Sequence, residues 1–355
     1  MQVHQFHTQV NHGDAIGNQM WSLQHLLRKM GYRSEVFCEQ LPLDLRSRVR
    51  AIAEYESYSS PQNLLLVHFS RACSPDTLTW LRRIPDRKVL VYHNITPYTF
   101  FRGVNPLYAE AARMGREQLT ILRALTEAGW GDSAFDCQEL AERGWRRLGV
   151  LPIVFEPRRY AVRPDRKVLQ GWHEGFSVLS VGRLAPNKRL QDLLLVFYYL
   201  KRFVRPDARL VLVGSGLGME RYVAFLQAVV SKLELQDVVF AGHISVSQLV
   251  AYYQCASVYL SMSVHEGFGV PLLESAHFGV PVVAYKTAAV ADTLGGSGAL
   301  ITTRDYPAVA ELLGLLAEDQ ELCGRLIARQ RERVADFLPG RVAERLQALL
   351  QDLGL

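Results

Sequence analysis

No run of 18 or more apolar residues occurs in this 355-residue sequence, so no segment is expected to cross a bilayer as a helix. Cysteine is scarce. Cys38, Cys73, Cys137, Cys255 and Cys323 are scattered and none forms a Cys-x-x-Cys pair, which excludes a disulfide framework or a zinc ribbon and suits a reducing compartment. The opening MQVHQFHTQV lacks the basic and apolar regions of a signal peptide. A cytoplasmic location, at most against the inner face of a membrane, is therefore the expectation. Strong charge is also missing: the net value is +5, and nothing matches a nucleic-acid-binding motif. Most of the positive excess lies within residues 1–165, as a solvated basic face or as a surface for an anionic membrane or a phosphorylated acceptor. What is present is an ordinary globular balance, 49% hydrophobic and 21% charged, in a chain long enough for two domains with a core each.

Apolar runs of strand length alternate with helical patterns. In the first half, strands are expected at QVHQFH, Arg33–Cys38, Asn63–Phe69, Lys88–Tyr92 and Val150–Phe155, with helices at Gln19–Met30, Pro106–Thr126 and Asp136–Leu148. The second half restarts the pattern with strands at 176–182, 208–214, VVFAG, SVYLSM and VPVVAY, and helices at Leu190–Phe203 and Met219–Leu233. Such alternation implies parallel sheets covered by helices on both faces. The charged, proline-bearing stretch Glu156–Glu174 reads as the linker.

The most informative stretch is SVHEGFGVPLLESAHFGVP, residues 263–281. Glu266 and Glu274 stand eight positions apart, and Gly267, Phe268, Gly269 and Val270 lead into a helix near Pro271. A glycine loop opening a helix offers backbone N–H groups and a positive dipole end to an anion. A carboxylate on either side can accept hydrogen bonds from sugar hydroxyls. Upstream, Gly182-Arg183-Leu184-Ala185-Pro186-Asn187-Lys188 follows an apolar strand and supplies two cations suited to phosphate oxygens.

Together these motifs resemble the Glu-x7-Glu and Gly-Arg-Leu…Lys elements of family 4 of the retaining glycosyltransferases. The resemblance is specific over 176–301 and weaker before it. It implies the GT-B fold, two doubly wound Rossmann-like domains facing across a cleft. Residues 1–160 would form the acceptor side and 161–335 the nucleotide-sugar side, with a helix in 336–355 crossing back to the first domain. The activity implied is retaining transfer of a hexose from a UDP- or GDP-linked donor to a glycan or lipid-linked sugar, as in cell-envelope polysaccharide synthesis. No cofactor is expected. No Asp-x-Asp triplet occurs, which agrees with transfer that needs no metal.

Carried over residue by residue, Arg183 and Lys188 would stabilise the departing diphosphate, Glu266 would hold donor-sugar hydroxyls and Glu274 the ribose. Gly182, Gly214 and the Gly267–Val270 backbone would approach the donor, and His243 and Ile244 would meet the base. Asp292 stands where the family has Glu, and Ala291 where it has Pro. In the first half, Gly13 and Gly17 would border the donor, and His93 would lie near the reacting sugar, a satisfied structural histidine being the alternative. Asp14, Tyr98, Phe101 and Arg102 are acceptor candidates, with a helix cap the alternative for Asp14 and packing an equal one for the cluster after His93. A sugar-nucleotide epimerase, a phosphorylase and a non-catalytic partner subunit are the alternatives. Nothing marks the lysine-bound cofactor of a phosphorylase.

Overall fold

The computed structural model describes residues 1–10, 14–41, 43–172 and 175–355, so Gly13 lies outside the described residues. The chain divides into two compact units: Met1–Thr99 with Leu107–Val154 and Phe337–Leu355, and Phe100–Pro106 with Phe155–Asp336.

The first unit is built on seven parallel strands: β1 Val3–Gln9, β2 Val36–Gln40, β3 Arg50–Ala51, β4 Leu64–Phe69, β5 Arg87–Tyr92, β6 Ala128–Gly131 and β7 Leu148–Val150. Their order is β3-β2-β1-β4-β5-β6-β7. The apolar strands are buried because helices cover both faces. The helix Pro339–Asp352 buries Val342, Leu346 and Leu350 against Val3, Leu64 and Val89 of this sheet's core.

Several elements differ from the sequence expectation. The first helix begins at Ala15 rather than Gln19, because the Asp14 carboxylate caps it by accepting from Gly17 N–H. The helix expected over Asp136–Leu148 runs Ala134–Glu142 and stops before Gly144, whose φ of +93° ends it. The strand expected over Val150–Phe155 is the shorter β7. Beyond it the chain pairs with a side chain: Gln19 Oε1 accepts from Val154 N–H at 2.7 Å, and its amide donates to the Pro152 carbonyl at 3.1 Å.

The second unit carries six parallel strands: β8 Ser177–Val181, β9 Arg209–Val213, β10 Val238–Gly242, β11 Val258–Ser261, β12 Val282–Tyr285 and β13 Ala299–Ile301. Their order is β10-β9-β8-β11-β12-β13. The connections reverse direction between β8 and β11, and the loops after those two strands therefore open at the carboxyl edge where doubly wound sheets bind ligands. Residues Phe155–Tyr160, expected in the first domain, group with this unit, since Phe155 and Tyr160 stack on each other at 5.6 Å and pack on His277.

Candidate functional site

The loop after β8 and the loop after β11 are clasped together by one buried side chain. Asn187 donates from its amide to the His265 carbonyl at 3.0 Å, and its own carbonyl accepts from Val264 N–H at 2.9 Å. Ser263 Oγ reaches the same Asn187 carbonyl at 3.2 Å. This clasp sets Lys188 beside Glu266: the ammonium Nζ lies 2.5 Å from Oε1 and 2.7 Å from Oε2. The pair is 22% and 14% exposed, so it is only partly screened by water. An ammonium has three N–H groups. With two on the carboxylate, the third remains for an anion oxygen.

Arg183 stands on the β8 side of this pair, with Nη2 donating to the Leu217 carbonyl at 3.0 Å in the loop after β9. Gly182 and Gly214 cross at the sheet edge with φ of +147° and +150°. A Cβ on Gly214 would stand 1.8 Å from the Gly182 carbonyl oxygen, so here the close approach that glycine permits is by the chain itself. Gly214 N–H donates to the Gly242 carbonyl at 2.9 Å. His243, next in line, is exposed, and Ile244 packs on the core behind β9 and β12.

After Glu266, Gly267 leads to Phe268, which is buried and whose carbonyl accepts from Thr293 Oγ1 at 2.6 Å. Gly269 turns the chain at φ +92°, and Val270 starts the helix Val270–Phe278. The positive end of this helix thus follows directly on the loop that carries Glu266, the partner of Lys188. Glu274, one turn on, is only 8% exposed. Its Oε1 accepts from Tyr160 Oη at 2.6 Å and its Oε2 from Tyr253 Oη at 2.7 Å. Burial pushes its carboxyl above the usual range, and the two phenols oppose that shift.

In the first unit, His93 is not placed as expected. Its side chain is 2% exposed, and both ring nitrogens are engaged. Nδ1 meets the Asp132 carboxylate at 2.9–3.0 Å, and Nε2 meets His68 Nδ1 at 2.8 Å. The Gln5 amide donates to the Met20 carbonyl, so its Oε1 faces His68 Nε2, which must donate. His68 Nδ1 is then an acceptor, His93 Nε2 the donor, and one proton is shared between His93 Nδ1 and Asp132. Burial pushes Asp132 up and His68 down. His93 is thus held in an internal chain of hydrogen bonds, which favours the structural alternative over a contact with the sugar.

The other candidates of residues 1–160 are placed in other ways. Gly17 is buried in the first helical turn with its N–H on Asp14, and Asp14 acts as the cap. Phe101 is 3% exposed and belongs to packing, while Arg102 is exposed and Tyr98 half-buried in the turn Tyr98–Phe100. Sequence reasoning missed Asn187, Tyr160 and Tyr253. Only Asn187 carried a signal, as a polar residue next to Lys188 in the motif.

Residues 163–333 match the family model described as glycosyl transferases group 1. That match, with the fold already described, makes the chain similar to the group 1, family 4-like glycosyltransferases of the GT-B fold. A GDP-mannose-dependent alpha-(1-6)-phosphatidylinositol monomannoside mannosyltransferase of Mycolicibacterium smegmatis is 30% identical over 184 residues, 48% of this chain and 47% of that protein. A D-inositol 3-phosphate glycosyltransferase of Nocardia farcinica is 25% identical over 326 residues, 87% of this chain and 71% of that protein. Among solved structures, Anabaena HepE in complex with UDP-glucose is similar with a TM-score of 0.74 at 17% identity, over 100% of this chain and 99% of that one. That likeness concerns the fold. The chain spans about half the length, or less, of the first curated relatives it matches. Among the described residues no helix is long and apolar enough to cross a membrane.

Proposed function

We propose that this glycosyltransferase moves a hexose, with retention at the anomeric carbon and without a metal ion, from a UDP- or GDP-linked sugar to a glycan or lipid-linked acceptor of the cell envelope. The observation that carries the reading is the Lys188–Glu266 pair, set beside the glycine turn that opens the helix Val270–Phe278. The activities of its relatives, which include a GDP-mannose-dependent mannosyltransferase and an O-antigen chain mannosyltransferase, support the donor and acceptor classes.

On this reading the diphosphate lies against the helix start, Arg183 and the third N–H of Lys188. Glu266, held by the other two N–H groups, accepts from hydroxyls of the donor sugar. Glu274 accepts from the ribose diol. As the glycosidic C–O bond breaks, charge grows on the diphosphate, and the fixed cations stabilise that charge more than they stabilise the ground state. The leaving phosphate oxygen takes the acceptor's proton on the same face. No enzymic nucleophile is required.

The first test is a panel of nucleoside diphosphates in a thermal melt. A ligand at about 100 times its Kd adds about 2.7 kcal/mol, so UDP or GDP should raise Tm by roughly 5–10 °C. The absence of a shift with every nucleotide would remove the donor assignment. Glu274→Ala should weaken the better nucleotide by about 1.5–3 kcal/mol in calorimetry, since it removes hydrogen bonds to a charged group. Turnover should persist in excess EDTA, because cationic side chains do the work of a metal. Loss of transfer on chelation with recovery in manganese would reject the metal-free mechanism.

A further inference from the structure

Glu274 is a buried carboxylate for which the described residues provide no Lys or Arg ion pair. Two phenols stand in instead, one from each side. Tyr160 ends the short helical turn Pro157–Tyr160, and Tyr253 lies in the helix Val246–Cys255. Each carboxylate oxygen accepts one of the two hydroxyls, at 2.6 and 2.7 Å. Packing fixes both rings: Tyr253 stacks on Phe278 at 5.1 Å and 7°, and Tyr160 stacks on Phe155 and meets Phe278 edge-on. The hydroxyls therefore have little freedom to leave the carboxylate.

An ionised carboxylate offers about four acceptor directions. Two are used by the phenols and two remain, which is the number of O–H groups on a ribose cis-diol. We propose that Tyr160 and Tyr253 are positioning residues that hold Glu274 ionised and oriented, so that its remaining lone pairs recognise the 2′,3′-diol of the donor nucleotide. This rests on the reading of Glu274 as the ribose acceptor. It adds that ribose recognition depends on two hydroxyls that are not required to touch the nucleotide, one of them 114 positions away in the chain.

The chemistry gives a sign for pH. Burial raises the Glu274 pKa, and the two phenol donors, with a smaller contribution from the charge of Arg159, lower it by favouring the anion. Removing one phenol lets the carboxyl keep its proton to higher pH. A protonated Glu274 has lost acceptor capacity for the diol, so the acid edge of ribonucleotide binding should move upward in pH.

The test uses the whole chain with Tyr160→Phe and Tyr253→Phe, which keep the ring packing. Calorimetry would compare UDP and GDP with their 2′,3′-dideoxy forms between pH 5 and 8, ranges chosen about the usual carboxylate and neutral values. Wild type should favour the ribonucleotide. Each variant should weaken it about tenfold, leave dideoxynucleotide affinity within about twofold, and shift the acid edge to higher pH. Variants that discriminate as wild type does would overturn the role of the tyrosines alone. So would equal weakening of both nucleotide forms, the mark of a merely structural effect. Wild type binding both forms equally would instead reject Glu274 as the ribose acceptor and the proposal with it. A wild type that binds no nucleotide would reject the donor reading itself.

Discussion

Lys188→Ala is expected to lower kcat by about 10²–10³ and to raise donor KM far less, because the charge it opposes appears mainly in the transition state. The ammonium holds the Glu266 carboxylate at 2.5 and 2.7 Å, and on the proposed reading its third N–H serves the departing diphosphate. Its loss removes a cation from the phosphate side. It also leaves Glu266 an uncompensated anion facing like charge. Glu266→Ala should reduce turnover as well. The Lys188→Ala/Glu266→Ala double variant should lose much less than the product of the two, since the second change removes the carboxylate that the first left unpaired. Lys188→Arg should restore little, because a planar fork does not reproduce a tetrahedral ammonium between two acceptors. Arg183→Ala should show a loss of the same order, as on the proposed reading it meets the diphosphate from the start of the same loop after β8. The measurements are kcat and KM for each variant, with thermal melts to confirm folding. Near-normal turnover in a folded Lys188→Ala protein would make the ion pair a clasp between two loops and nothing more.

The two motifs that converge on this pair were legible because each sits directly after an apolar run. Chains leaving parallel strands emerge at one edge of the sheet, so Lys188 and Glu266 had to point toward the same region once β8 and β11 were neighbours. That adjacency itself was supplied by the family resemblance. What was not legible depends on contacts between distant residues. Tyr160 reads as part of a charged linker, and only the fold brings its hydroxyl to Glu274. His93 reads as a strand-end histidine. Its commitment to Asp132 and His68 arises because β4, β5 and β6 lie side by side. The strand β6, Ala-Gly-Trp-Gly, is hidden by its glycines. A Cβ at Gly129 would meet Trp145 at 2.9 Å and one at Gly131 would meet Asp136 at 2.7 Å, so close packing overrides strand propensity there. The early start of the first helix was hidden for a simpler reason. An Asp between two glycines suits a ligand loop as well as a cap, and the cap alone decides where the helix begins.

Gly214→Ala should produce the largest loss of stability of any single methyl addition near the site. Alanine avoids the φ of +150° found there, and the new Cβ would lie 1.8 Å from the Gly182 carbonyl oxygen and 2.6 Å from its carbon. Both obstacles are backbone, so no side chain can swing aside. The ends of β8 and β9 would have to part, stretching the bonds from Gly182 N–H to Val213 and from Gly214 N–H to Gly242, each 2.9 Å. Backbone strain and steric overlap of this kind sum to about 3 kcal/mol or more, equivalent to a fall of roughly 6–12 °C in Tm for a unit of this size. Nucleotide binding should weaken with it, because Arg183 follows Gly182 directly and would move with the displaced carbonyl. Gly324→Ala provides the opposite case. It is exposed within the helix Gln320–Val334, and a Cβ there meets nothing within 4 Å. It should gain up to about 1 kcal/mol from helix propensity and a less flexible unfolded chain. The pair separates the crossing at the sheet edge from any general effect of replacing glycine. Thermal melts of both variants decide the matter: a Gly214→Ala protein that melts with the wild type would mean that the edge of this sheet yields without strain, and that the glycine is not what holds the loops after β8 and β9 in register.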